Sequence, residues 1–172
     1  MALEIAVGPQ KLVLNQGFGF VVTDQDGQID WPTDKGFYYS DTRLISSWRI
    51  YADGEPWDLL NSGNIAFFAA RIFLGNRRLV TESGELAAGT LGLTVSRSLQ
   101  GGMHEDLDLV NHGLTTAQFN LEIAMRSDFA DLFEVKSKAI VRRGRASWPS
   151  ICSLTGTTPF SSSMAIAIQV PR

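Results

Sequence analysis

Cysteine is almost absent from this chain: Cys152 stands alone among 172 residues. A single cysteine excludes an intrachain disulfide framework and a metal site built on thiolates. Long apolar runs are missing too, and no stretch approaches the roughly 20 residues that a membrane-spanning helix needs. The opening residues, M-A-L-E-I-A-V-G-P-Q, carry no basic n-region and too short an apolar run for a secretory leader. Basic runs are short, the longest being Arg142-Arg143-Gly144-Arg145, and the formal net charge is −3. A phosphate-tracking surface finds no support in that balance, so nucleic acid and membrane drop out as expected partners. Helical periodicity of 3.6 residues is absent from every stretch of useful length. A soluble, cytoplasmic β protein is the expectation.

What is present suits a buried core. The hydrophobic fraction is 44%, and a chain of this length buries roughly 70% of its unfolded surface on folding. Strand follows strand. Lys11-Leu-Val-Leu-Asn15 and Phe18-Gly-Phe-Val-Val-Thr23 precede Asp24-Gln-Asp-Gly27, whose Asp-Gly pair supplies the positive φ of a tight turn. Ala52-Asp-Gly-Glu-Pro56 repeats that chemistry between Ser47–Tyr51 and Trp57–Asn61. Ile65 to Leu74 is apolar except for Arg71, and its flanking turn residues favour a strand buried on both faces over a short helix. Leu91, Leu93 and Val95 alternate with smaller and polar residues. The clearest element is Thr115 to Arg126, with Ala117, Phe119, Leu121, Ile123 and Met125 on one face. Antiparallel strands of this kind, joined by Gly and Asp turns, predict an all-β, mainly antiparallel sandwich.

The chain changes character at Arg145. Residues 1–145 hold all 18 acids and 14 of the 15 bases, whereas Ala146 to Pro171 carries no charge. Residues 1–145 are therefore expected to form the domain, and 146–172 a divergent tail. Two readings of that tail stand side by side: a low-charge terminal strand plus disorder, or the product of a shifted reading frame.

Two segments carry a resemblance. They are R-S-D-F-A-D-L-F-E-V-K, Arg126 to Lys136, and G-F-Y-Y-S-D-T-R-L-I-S-S-W-R-I-Y-A-D-G-E-P-W-D-L-L, Gly36 to Leu60. From about Leu12 to about Arg145 the chain resembles the N-terminal, non-catalytic domain of bacterial glycogen-debranching enzymes of the amylo-α-1,6-glucosidase type. The resemblance implies a supersandwich-like fold, truncated and incomplete at its C-terminus. It also implies a partner in cis, an (α/α)-toroid domain that carries the catalytic acids and is absent here. It brings α-glucan as a candidate ligand and no cofactor, and implies that this chain alone is inactive. Two alternatives remain open: a stand-alone carbohydrate- or partner-binding module, and a truncated product without independent function.

Candidate residues follow from the same segments. Glycoside hydrolysis needs two carboxylates across the scissile bond, about 5 Å apart or roughly 6.5–9.5 Å apart according to mechanism. Asp128, Asp131 and Glu134 could be offered for that work. Acids at a strand end more often form turns, accept from nearby amides or pair with an arginine such as Arg43. No catalytic residue is assigned. Asp41-Thr-Arg43 follows the aromatic cluster Phe37-Tyr38-Tyr39. It reads either as a surface meeting sugar or a sister domain, with Tyr38 in it, or as an Asp41–Arg43 pair fixing a sheet corner. His104, Asp106 and Asp108 share one strand face, but the spacing is too wide for one ion, and no metal is expected. Trp31, Trp48 and Trp57 read as core before they read as a sugar platform. Gly17-Phe-Gly19 opens a strand and so is not a phosphate cradle.

Overall fold

The computed structural model describes residues 10–81, 84–139, 146–152 and 161–169, the last two segments as backbone strands. The start of the chain and the basic run at 142–145 lie outside the described residues, as do the side chains of the tail. Among the described residues the chain is built of antiparallel strands and one short helix.

A meander opens the fold: β1 (Lys11–Gln16), β2 (Gly19–Asp24), β3 (Gly36–Tyr39) and β4 (Thr42–Ile45), each paired with the next. The chain then passes through Ser46 into β5 (Ser47–Ala52) and so from one sheet to another. Ser46 is buried, and its amide and hydroxyl both donate to the Arg126 carbonyl, at 2.8 and 3.2 Å. One bent strand thus serves two sheets, the device by which sandwich corners are made. The tight turn after β5 has Asp53 at φ 45° and Gly54 at φ 79°, the two positive angles expected of its Asp-Gly pair. It leads to β6 (Glu55–Pro56).

β7 (Asp58–Ala66) and β8 (Ala69–Gly75) form a hairpin, followed by the small pair β9 (Leu79–Thr81) and β10 (Gly84–Leu86). β11 (Leu91–Leu99) and β12 (Gly102–Asn111) form the long central hairpin. β13 (Leu121–Ser127) returns beside β5, and α1 (Leu132–Ser137) follows it. β14 (Ala146–Cys152) pairs with β13, and β15 (Ser161–Gln169) pairs with β12. The larger sheet therefore runs β15-β12-β11-β8-β7, and the sheet opposite it β14-β13-β5-β6.

Leu14, Val21 and Phe37 of the meander meet Trp48 and Ile123 of the second sheet and Ile72, Leu93 and Leu107 of the third in one continuous core. Alternation does the sorting. On β11, Leu91, Leu93, Val95, Arg97 and Leu99 point inward, and their neighbours do not. Burying one side chain such as Ile72 or Leu93 contributes about 1.5–3 kcal/mol, so a few such residues outweigh any surface contact.

Two expectations are corrected. The apolar run Ile65 to Leu74 is not one doubly buried strand, because the chain reverses at Phe67–Phe68; Ile65 and Phe67 are exposed, while Ile72 and Leu74 are buried. Thr115 to Arg126 keeps its apolar face, but its ladder starts only at Leu121. Before it, Asn120 is held by the Asp53 turn: its amide and side chain donate to the Asp53 carboxylate at 3.0 and 2.9 Å, and its carbonyl accepts from the Asp53 amide at 2.9 Å. Beyond Arg145 the backbone adds β14 and β15 to two different sheets.

Candidate functional site

The motif residues converge on one corner, where the β3–β4 hairpin meets the end of β13 and the start of α1. Arg43 is its centre. The side chain is fully buried, and its guanidinium grips Asp128 in two parallel bonds, Nε to Oδ1 at 3.0 Å and Nη2 to Oδ2 at 2.5 Å. Its Nη1 donates to the carbonyls of Thr33 at 2.7 Å and Lys35 at 3.3 Å. The planar fork of arginine suits this bidentate geometry. Gly36 makes room for it, since a Cβ there would lie 2.6 Å from the Ile45 carbonyl and 2.7 Å from Arg43 Cδ.

Of the partners the sequence offered Arg43, Asp41 or a strand-end acid, the corner uses the second, Asp128. Asp41 is exposed in the β3–β4 turn at φ 65°, and it is its carbonyl that works, accepting from the Leu132 amide at 2.8 Å. The Arg43 amide donates to the Ala130 carbonyl, also at 2.8 Å. Tyr38 sits opposite Arg43 in the β3–β4 register. It is buried, stacked on Phe20 with ring centres 4.6 Å apart, and its hydroxyl donates to the Asp34 carbonyl at 2.8 Å. Burial pushes the Tyr38 phenol above its ordinary value, against the pull of the Arg43 charge.

Asp131 and Glu134 start α1. The Asp131 carboxylate accepts from the Phe133 amide at 2.8 Å, and the Asp131 amide donates to the Glu134 carboxylate at 3.0 Å, a reciprocal capping box. Asp131→Ala is expected to lower stability by about 1 kcal/mol. Urea midpoints measure it, and an unchanged midpoint would mean that the cap carries no weight. All three acids of the motif are thus engaged in holding the corner. Their spacing also contains the helix signal that periodicity missed: Asp131-x-x-Glu134 is a capping pattern readable without any structure.

Other candidates fall elsewhere. Trp48 and Trp57 lie in the core, whereas Trp31 is 43% exposed with the Arg126 guanidinium 4.0 Å from its ring centre, a cation–π contact. His104 and Asp106 meet on the outer face of β12 at 3.1 Å. No cluster of His, Cys, Asp and Glu fit to hold a metal ion occurs among the described residues. No helix among them is long and apolar enough to cross a membrane.

The opposite face of β12 held what the sequence reading missed. Arg97 and Glu105 are cross-strand partners in the β11–β12 register, and both point into the core. Arg97 Nε donates to Glu105 Oε1 at 2.5 Å, and Nη2 donates to the Gly27 carbonyl at 2.8 Å. The second carboxylate oxygen, Oε2, is buried without a partner. The signal was a charged residue in the apolar phase of two successive strands.

A concave feature lies at the end of the sandwich where the β1–β2 and β11–β12 turns meet. It is a pocket of about 190 Å³ whose lining includes Gln16, Phe18, Tyr39, Leu99 and Gly101.

Comparison with known proteins adds one finding of kinship. A family model for the N-terminal domain of some glycogen debranching enzymes matches residues 14–158. That span covers the corner, the core hairpin and β14, and it runs past Arg145. No curated protein sequence matches the chain.

Proposed function

Since this chain belongs to the family of N-terminal domains of glycogen debranching enzymes, we propose that it is the non-catalytic partner of an (α/α)-toroid glycosidase domain acting on α-1,6 branch points. The family match carries the reading. The engagement of Asp128, Asp131 and Glu134 in the corner supports it, because a carboxylate that holds an arginine or caps a helix is not free to flank a glycosidic bond. In this reading the corner is a rigid bracket that fixes the end of β13 against the meander, and the sandwich props the toroid. A cytoplasmic setting goes with it.

Two measurements test the proposal. The purified chain is expected to release no glucose from a limit dextrin; stoichiometric release would sink the non-catalytic assignment. Mixed with a toroid domain from a family member, it is expected to co-elute and to raise the toroid's Tm. Independent elution with unchanged Tm for both would count against the partner role.

A further inference from the structure

Four hairpin turns gather at one end of the sandwich and are hydrogen-bonded to one another. The Ser40 amide, in the β3–β4 turn, donates to the Phe18 carbonyl in the β1–β2 turn at 3.1 Å. The Asn15 amide donates to the Phe67 carbonyl in the β7–β8 turn, and the Leu99 amide, entering the β11–β12 turn, to the Phe68 carbonyl, each at 2.9 Å. The pocket lies within this frame. The geometry points to a binding site for one glucose residue of an α-glucan chain.

The lining decides the ligand class. No charged residue borders the pocket, which disfavours anions and cations and suits a neutral molecule. At about 190 Å³ it is well below the roughly 300–1,000 Å³ of sites for drug-sized ligands, and suits a single ring. Its walls are mixed. Phe18 and Tyr39 give the accessible apolar surface, with the buried Phe37 and Leu99 behind them, while Gln16 and Tyr39 carry an amide and a hydroxyl. A pyranose has the same division, with apolar C–H faces and a rim of hydroxyls. Gly17 at φ 59° and Gly101 at φ 69° have no atom within 4 Å of where a Cβ would stand, so their backbone is open to a ligand. Phe18 is 77% exposed at the turn tip, an apolar ring that a sugar face would cover. Because the turns already hold each other in place, little ordering cost falls on binding. The choice of glucan among neutral sugars rests on the function proposed above.

The test is titration of the ¹⁵N-labelled full chain with maltotriose, followed by amide chemical shifts. Millimolar binding is expected, with shifts centred on Gln16 to Gly19, Tyr39, Gly101 and Gly102. Phe18→Ala and Gln16→Ala, both at exposed positions that leave the core intact, should each weaken it about tenfold. Val80→Ala, at an exposed site on β9, should leave it unchanged, and cellotriose should bind more weakly than maltotriose. Absence of shifts, shifts centred elsewhere, or affinity indifferent to both pocket variants would overturn the site. If maltotriose fails to bind but the toroid still docks, the pocket assignment falls alone. If maltotriose binds and the toroid does not dock, the partner reading falls alone.

Discussion

Arg97→Met is expected to lower stability by about 3–5 kcal/mol, the cost of leaving one member of a buried ion pair without the other. Against a total of roughly 5–15 kcal/mol for an ordinary domain, that is a large share. Glu105 is fully buried, and its Oε2 already lacks a partner, so removal of Arg97 strands a carboxylate with nothing left to offset its desolvation. Arg97→Met combined with Glu105→Leu should recover most of the loss, since apolar replacement of a buried pair is often neutral or better. Recovery should stop short of completion by about 1–3 kcal/mol, because the Gly27 carbonyl loses the donor that Arg97 supplied at 2.8 Å. Urea unfolding of the two single variants and the double variant gives the answer. Additive losses would mean that the two residues are not energetically coupled, and the assignment of a pair would fail.

Arg43→Met should cost a similar amount, about 3–5 kcal/mol, and here the conservative variant is the sharper probe. Arg43 satisfies two carboxylate oxygens and two backbone carbonyls from a fully buried position. A lysine ammonium is a point charge with three donors and cannot span that fork. Arg43→Lys should therefore recover less than half of the loss seen with methionine. Wild-type stability in the lysine variant would show that charge alone, not fork geometry, holds the corner. The Tyr38 environment reports on the same event, because Tyr38 lies opposite Arg43 and is stacked on Phe20. Its near-ultraviolet dichroism should weaken along with the loss of stability.

Much of the scaffold was legible in the sequence because strands announce themselves locally. Alternation placed Leu91, Leu93 and Val95 on one face, and the Asp53–Gly54 pair marked its turn by the positive φ it had to supply. The corner was legible in part. Its members were found because they cluster in two short segments, and the sequence offered Arg43 two kinds of partner, the near neighbour Asp41 or an acid at the far strand end. The fold takes Asp128, from a distant strand, a choice between the two that sequence proximity cannot make. The reversal at Phe67–Phe68 stayed hidden because its turn is made of two large apolar residues rather than Gly, Asn or Asp. The Arg97–Glu105 pair was missed for the opposite reason. A charge in the core phase of a strand looks like an interruption of the pattern until its partner in the next strand is read with it.

The bend at Ser46 has a consequence for how this domain can vary in length. β4 is fixed in register by β3 on one side of the bend, and β5 is fixed by β13 on the other. One residue inserted or deleted between Thr42 and Ala52 would turn Trp48, Ile50 and Ala52 outward, or else pull Arg43 away from Asp128. The β3–β4 ladder already holds one register shift, between Phe37 and Tyr38, and both ends of the strand are held. Lineages descended from this sequence should therefore collect their insertions and deletions in the connecting turns, and this strand should keep its length even where its residues drift.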